Sequence, residues 1–294
     1  MKVKEKANKI HHIYTSTLRF RKLLKFPKRV LLPLMFIIIT LIFQNCLEPT
    51  EGCLDVNATN FDVTAAKNCD KSCTCTYPSL IIATNYTSGT SNFNFNTTYK
   101  NDIGDSFRIV STQLYLSDFQ LINDKNVTIR TIDSVSLTRA TDTIKVLNNY
   151  ALVGKNIGFD FTIGTFNSTD KFTKVKFRVG LDNVATKTIP SKMPSTHPLS
   201  TKADSMYLSS QNQYIFNKFV IAKGVNFKDT LRINITTPTD LEFVKALSFP
   251  LGFNASIPLT INYLQFFKGV KFSEDVNLIK QKIVNNTSSA FSIQ

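Results

Sequence analysis

From Ser79 to Gln294 apolar and polar positions alternate in short runs, with turn residues every 8 to 12 positions. In Lys174–Val179 the residues Val175, Phe177 and Val179 fall on one face, and Lys174, Lys176 and Arg178 on the other. Ile157, Phe159, Phe161 and Ile163 repeat the pattern, as do Leu231, Ile233 and Ile235, and then Ile257, Leu259, Ile261 and Tyr263. A period of two with one apolar face is what a half-buried strand of an antiparallel sheet requires. The density of such runs predicts an all-β fold over 79–294, an antiparallel β-sandwich of one domain. Two stretches break the alternation. Residues 190–203 carry three prolines and predict a loop. Residues 273–286 open on a serine and two acids and then place Val276, Ile279, Ile283 and Val284 at helical spacing, predicting one C-terminal helix.

The N-terminal region has a different texture. Val30 to Phe43 is an apolar run of fourteen residues behind a flank with ten Lys and Arg and one acid. That is the size of a signal-peptide core, whereas a spanning helix needs about 20 residues. The alternative, an uncleaved anchor helix, has Pro33 and the early polar pair Gln44-Asn45 against it. The boundaries read from this are a signal peptide over 1–45, a cysteine-rich spacer over 46–78 and the β-domain over 79–294.

Charge changes meaning once the leader is set apart. The whole chain has 35 Lys+Arg and 21 Asp+Glu; removing the ten bases and one acid of residues 1–29 leaves 25 against 20. No Lys/Arg block follows Arg29, so a nucleic-acid partner is excluded, since that needs clustered positive charge.

All five cysteines, Cys46, Cys53, Cys69, Cys73 and Cys75, fall in the spacer. With Cys46 set aside for lipid, Cys53, Cys69, Cys73 and Cys75 make an even set, open to two disulfides in any of three connectivities. The closely spaced Cys69, Cys73 and Cys75 read alternatively as thiolate ligands for copper or zinc. Asp55, Asn57, Asn60 and Asp62 are hard oxygen donors at short spacing, suited to calcium. They serve equally as turn-formers in a disulfide-pinned spacer.

Chemistry in the β-domain is sparse. His11 and His12 lie in the leader, leaving His197 as the single histidine after it. Nucleophile elbow, Walker loop, GxGxxG and HExxH are all missing, and no carboxylate pair stands out, so the expectation is a protein that is not an enzyme. Met193, His197 and Met206 fall within fourteen residues. Two thioethers and an imidazole form a soft donor set suited to copper, particularly Cu(I). The plainer alternative makes Met206 a core residue and Met193 a loop residue.

Several resemblances attach to these residues. Phe43-Gln44-Asn45-Cys46 resembles a lipobox, which implies lipidation of Cys46, and Glu48 and Glu51 resemble the export signal of Bacteroidota-type surface lipoproteins. Acylation would anchor the chain extracytoplasmically, at the outer membrane or cell surface. GCLDVNATNFDVTAAKNC resembles a short cysteine-flanked repeat of secreted proteins. FRIVSTQLYLSDFQLI, with its Tyr115-Leu116-Ser117-Asp118 core, resembles an early strand of the MbnP-like family. Ile163-Gly164, VGLD at 179–182 and DSMYLSSQNQYIFNKFVIAKG at 204–224 resemble its later segments. That family implies a β-sandwich that in some members binds copper near an oxidatively modified tryptophan, with a diheme peroxidase-like partner. Leu208 stands where that tryptophan would be, and the chain has no Trp. The function expected is therefore a cell-envelope lipoprotein with a non-catalytic binding role, with copper as candidate ligand. The alternative is a structural or adhesive surface lipoprotein with no metal site.

Overall fold

Alternation of side chains along the longest strand sets up the layers. The computed structural model describes residues 49–70, 73–95, 97–168, 171–201 and 206–294. The region expected to be a signal peptide, with its apolar run, and Cys46 lie outside the described residues. Glu51–Gln294 forms one compact unit; of the separate unit Met1–Thr50 only the last two residues are described.

The main strands are β1 (Ser79–Ser88), β2 (Ser106–Asn123), β3 (Ser134–Thr138), β4 (Thr143–Leu147), β5 (Ala151–Gly154), β6 (Asp160–Thr165), β7 (Phe172–Val179), β8 (Asn217–Lys223), β9 (Asp229–Ile235), β10 (Thr239–Leu247), β11 (Ala255–Asn262) and β12 (Phe291–Ile293). The large sheet runs β9-β8-β2-β7-β10, with β5 also paired to β2. The small sheet runs β6-β1-β11-β12, and β3 and β4 form a separate hairpin. The antiparallel β-sandwich is present.

One pairing departs from the antiparallel expectation: β1 and β11 run parallel, Leu80 beside Ala255 through Thr87 beside Asn262. Their connection passes through the whole large sheet, and only so long a crossover lets two strands pair in parallel.

Leu114 and Leu116 of β2 enter the apolar core between the sheets, where Ile82, Phe177, Ile233, Ile257 and Ile283 are also buried. Tyr115 points the other way, into a second apolar layer with Leu137, Tyr150, Met193, Leu199, Met206 and Tyr214. Tyr150 and Leu152 take that outer layer while Ala151 and Val153 take the inner core, so β5 alternates in the same way. The outer face of the large sheet is thus covered, around Tyr115, by residues 181–199 and 206–216 and by the β3–β4 hairpin.

Val175, Phe177 and Val179 are buried as predicted. On the opposite face Lys174 and Lys176 meet Glu242 at 2.9 and 2.7 Å, and Arg178 meets Asp240 at 2.7 Å. Three expectations are corrected. The run from Ile157 is not one strand: β6 begins at Asp160, and Phe159, 61 % exposed, precedes it. The turn at Gly158, with φ 102°, interrupts the run, although the Phe159 carbonyl still accepts the Thr84 N–H and hydroxyl of β1. The C-terminal helix α2 spans Val276–Asn286 and is capped by Asp275, whose carboxylate accepts the Asn277 N–H at 2.8 Å, not by Ser273. A one-turn helix α1, Tyr263–Phe266, precedes it, so Tyr263 ends the β11 alternation as a buried helical residue. The proline-rich stretch is a loop as predicted, and it packs inward at Pro190, Met193, Leu199 and Ser200, which are buried. Among the described residues no helix is long and apolar enough to cross a membrane.

In the cysteine segment Cys53 pairs with Cys75 and Cys69 with Cys73, which selects one of the three connectivities. A short parallel pairing sets Glu51 beside Lys67 and Gly52 beside Asn68.

Candidate functional site

Edges of the two sheets frame the principal cleft. β5 closes one side of the large sheet and β6 one side of the small sheet, and residues 194–200 roof the space between them. The cleft holds about 940 Å³, with His197, Asn148, Asp133 and Asp160 on its polar walls and Tyr150 and Phe161 among its apolar ones. Among the described residues, no Lys or Arg is in its lining.

The segment that resembles the early family strand, of which Gln113 is in the lining, supports this wall from behind. Tyr115 donates its N–H to the Phe216 carbonyl and accepts the Gly180 N–H, so it marks the point where the edge of β2 passes from one neighbour to the next. Its hydroxyl donates to the Pro198 carbonyl at 3.2 Å. Tyr214 donates to the next carbonyl, Leu199, at 2.8 Å. Burial pushes both phenols well above their ordinary pKa, so they remain donors at any physiological pH. Ser117 donates to the Gly180 carbonyl at 2.8 Å. Asp118 takes a positive φ of 53° where the register with β7 shifts. Gly180 has φ 123° and lies where a Cβ would come within 3.0 Å of Phe216 and 3.1 Å of Pro238, so only glycine suits it.

These bonds fix His197. Its Nδ1 accepts the Leu199 N–H at 3.2 Å, and Nε2 lies 2.9 Å from the Asn148 side-chain oxygen. An accepted N–H at Nδ1 leaves the ring proton on Nε2, which donates to Asn148. The Tyr150 ring meets the imidazole edge-on at 5.9 Å. Burial lowers the His197 pKa to about 4.

The other candidate residues are placed as follows. Met206 is fully buried and Met193 nearly so, both in the outer apolar layer. Asp55 accepts the Asn57 N–H at 2.9 Å and the Tyr77 hydroxyl at 2.8 Å, which hold its carboxyl below the usual range. The Asn60 amide N–H donates to the Thr74 carbonyl, and its oxygen accepts the Thr76 N–H. Asp62 accepts the Thr64 hydroxyl and N–H. The oxygens expected to face calcium are thus making turns and cross-links, Asn57 Oδ1 excepted, which is buried without a partner. Cys69 and Cys73 are joined as a disulfide, and thiolate ligation in that pair is replaced by a covalent bond. Among the described residues no group of three or more His, Cys, Asp or Glu is placed to hold a metal ion.

Sequence reasoning missed Asn148, Asp133 and Tyr150. Asn148 follows the alternation of β4, where an asparagine reads as a turn residue, and the chain is rich in asparagine. Only the partner 49 positions away gives it a role. Asp133 accepts the Thr165 N–H at 2.6 Å and stands against Gly164, at the register shift of β6.

No curated protein sequence matches the chain. Among solved structures it is similar to MbnP from Methylosinus trichosporium, at 11 % identity and a TM-score of 0.41, over 64 % of this chain and 76 % of that one. The family model MbnP matches residues 77–286. That span is most of the chain, and its start falls at the foot of β1: the chain belongs to the MbnP family.

Proposed function

We propose that this chain is a non-catalytic binding protein of the cell envelope, anchored by lipid on Cys46, and that its ligand occupies the cleft between β5, β6 and the His197 loop. One observation carries the reading. Tyr115 and Tyr214 spend their buried hydroxyls on the backbone of that loop, and so hold the single imidazole of the β-domain at the cleft wall. Rigid presentation of a recognition group lowers the entropy lost on binding. Acid–base catalysis instead favours an imidazole titrating near neutrality, and His197 is held well below that. With Asp133 and Asp160 in the lining and no Lys or Arg among its described residues, the cleft suits a neutral or cationic ligand that donates hydrogen bonds.

Copper is the narrower version of this proposal, with Met193, His197 and Met206 as its donors. As folded, these residues do not fit it: both ring nitrogens are in hydrogen bonds, and both methionines lie in the apolar layer. A metal on Nε2 would have to displace the Asn148 oxygen. A diheme peroxidase-like partner belongs to the copper version alone, and the tryptophan it would act on is Leu208 here.

Both versions are tested by titrating the full chain while following the His197 ring by NMR. Cu(I), added under reducing conditions, should bind at micromolar affinity or tighter and lose that affinity in His197→Ala if the copper version holds. Weaker binding, or indifference to His197→Ala, removes copper. The cleft reading itself falls if neither copper nor any neutral or cationic solute moves the ring resonances at millimolar concentration.

A further inference from the structure

Among the described residues, six of the fourteen exposed large apolar side chains fall in two adjoining stretches of this protein. Leu54, Val56, Phe61 and Val63 project from the cysteine segment, and Leu251 and Phe253 from the turn between β10 and β11. Val63 is 80 % exposed, Phe253 69 % and Val56 52 %. The two groups adjoin, because a Cβ on Gly252 would come within 3.0 Å of the Ala58 carbonyl and 3.9 Å of that of Val56. Soluble proteins scatter such residues singly, and a cluster marks a surface that meets something apolar.

The covalent chain says what that is. The cysteine segment begins at Glu51, five residues after Cys46. Fully extended, five residues reach at most roughly 18 Å. On the lipid-anchor reading of Cys46, on which this inference rests, the segment cannot leave the neighbourhood of the bilayer surface. We propose that Val56, Val63, Leu251 and Phe253, with Leu54 and Phe61 beside them, form a membrane-facing surface that enters the interfacial region of the bilayer holding Cys46. An acyl chain and an apolar patch are two additive signals, and their combination makes anchoring stable and fixes which side of the body faces the lipid. Of the neighbouring acids, Glu51 is paired with Lys67, while Asp55 and Asp62 stay ionised, their carboxylates held by Tyr77 and Thr64 within the segment. On this geometry the body is oriented by the patch as well as tethered by the lipid.

The absence of Trp from the chain allows a clean test. Phe253→Trp and Phe159→Trp each introduce a single indole at an exposed phenylalanine. Phe159 lies beside Thr84, whereas Asn254 bonds Ser79 at the start of β1, so the two positions are separated along the strand by roughly 17 Å at ordinary strand rise. The full chain is produced in a host that acylates it, its acyl chains on Cys46 are verified by intact mass, and it is reconstituted into phosphatidylethanolamine–phosphatidylglycerol vesicles carrying brominated acyl chains. The indole at 253 should be quenched about threefold more than that at 159, as expected for a side chain 5–10 Å into the boundary. Acylated protein with equal quenching at the two positions overturns the membrane-facing surface and leaves the anchor standing. Protein without acyl mass on Cys46 overturns the anchor, and this proposal with it.

Discussion

A proton added to His197 would have to go on Nδ1, where the Leu199 N–H already points. Burial is the main reason its pKa falls to about 4, and this opposing donor acts in the same direction. The folded value lies below the 6.5 of a free ring. The stability this group contributes is therefore complete above pH 6.5 and is lost as the pH falls through that value toward 4. Because His197 is the only histidine after the leader, NMR can follow it without overlap, and its midpoint should fall near 4. Urea unfolding between pH 7 and pH 4 should show a matching decline that His197→Gln flattens. A midpoint near 6.5 would mean that the ring is solvated and that the loop does not hold it as described.

Elements, more than single residues, decide whether that ring stays in place. The loop roofing the cleft hangs on two adjacent carbonyls, Pro198 and Leu199, and each receives one buried phenol from a different strand segment. Removing either hydroxyl leaves a carbonyl without its donor, at a cost of about 1–3 kcal/mol. Tyr115→Phe and Tyr214→Phe should each destabilise by about that amount, and the double variant by less than the sum, since both act on one loop. A structural defect elsewhere in the sheet would not move the His197 titration; loosening this loop should raise its midpoint toward the ordinary value. The same residues show what was legible in the sequence. Tyr115-Leu116-Ser117-Asp118 could be recognised as a segment, whose Leu116 lies in the core. Its use of Tyr115 as a latch and Asp118 as a kink depends on Pro198 and on the register with β7, both far along the chain. Period two marked β7, β9 and β11 reliably because each has one buried face. It failed at Phe159, where the turn at Gly158 interrupts the run ahead of β6 and leaves the ring exposed. The parallel pairing of β1 with β11 left no local trace at all, since its partners are some 175 residues apart.

At the scale of the whole molecule, the cysteine segment and the sandwich belong to one compact unit yet are stabilised by different means. The sandwich buries Phe, Ile, Leu and Val in a continuous core beginning at Leu80. Among its described residues the segment from Glu51 to Pro78 buries only Gly52, Cys53, Ala58 and Pro78, too little apolar surface to fold by itself. Its order must come from the Cys53–Cys75 bond, which spans 22 residues, and from the smaller Cys69–Cys73 ring. Closing a loop of that length restricts the unfolded chain by about 3 kcal/mol. Where the segment touches the sandwich, at the Gly252 turn, the contact is to backbone of Val56 and Ala58 and not to a shared apolar core. Reduction of the disulfides, or the pair Cys53→Ser and Cys75→Ser, should therefore open the segment without unfolding the sandwich. Calorimetry of the full chain should show the main transition moved by no more than a few degrees, the shift expected from roughly 1 kcal/mol or less in a domain of this size. Limited proteolysis of the reduced protein should cut first between Glu51 and Pro78. A main transition falling by about ten degrees or more, with no early cleavage in the segment, would show instead that the disulfides brace the sandwich itself. In that case the membrane-facing surface would be rigidly part of the core, and its orientation could not be uncoupled from the cleft by reduction.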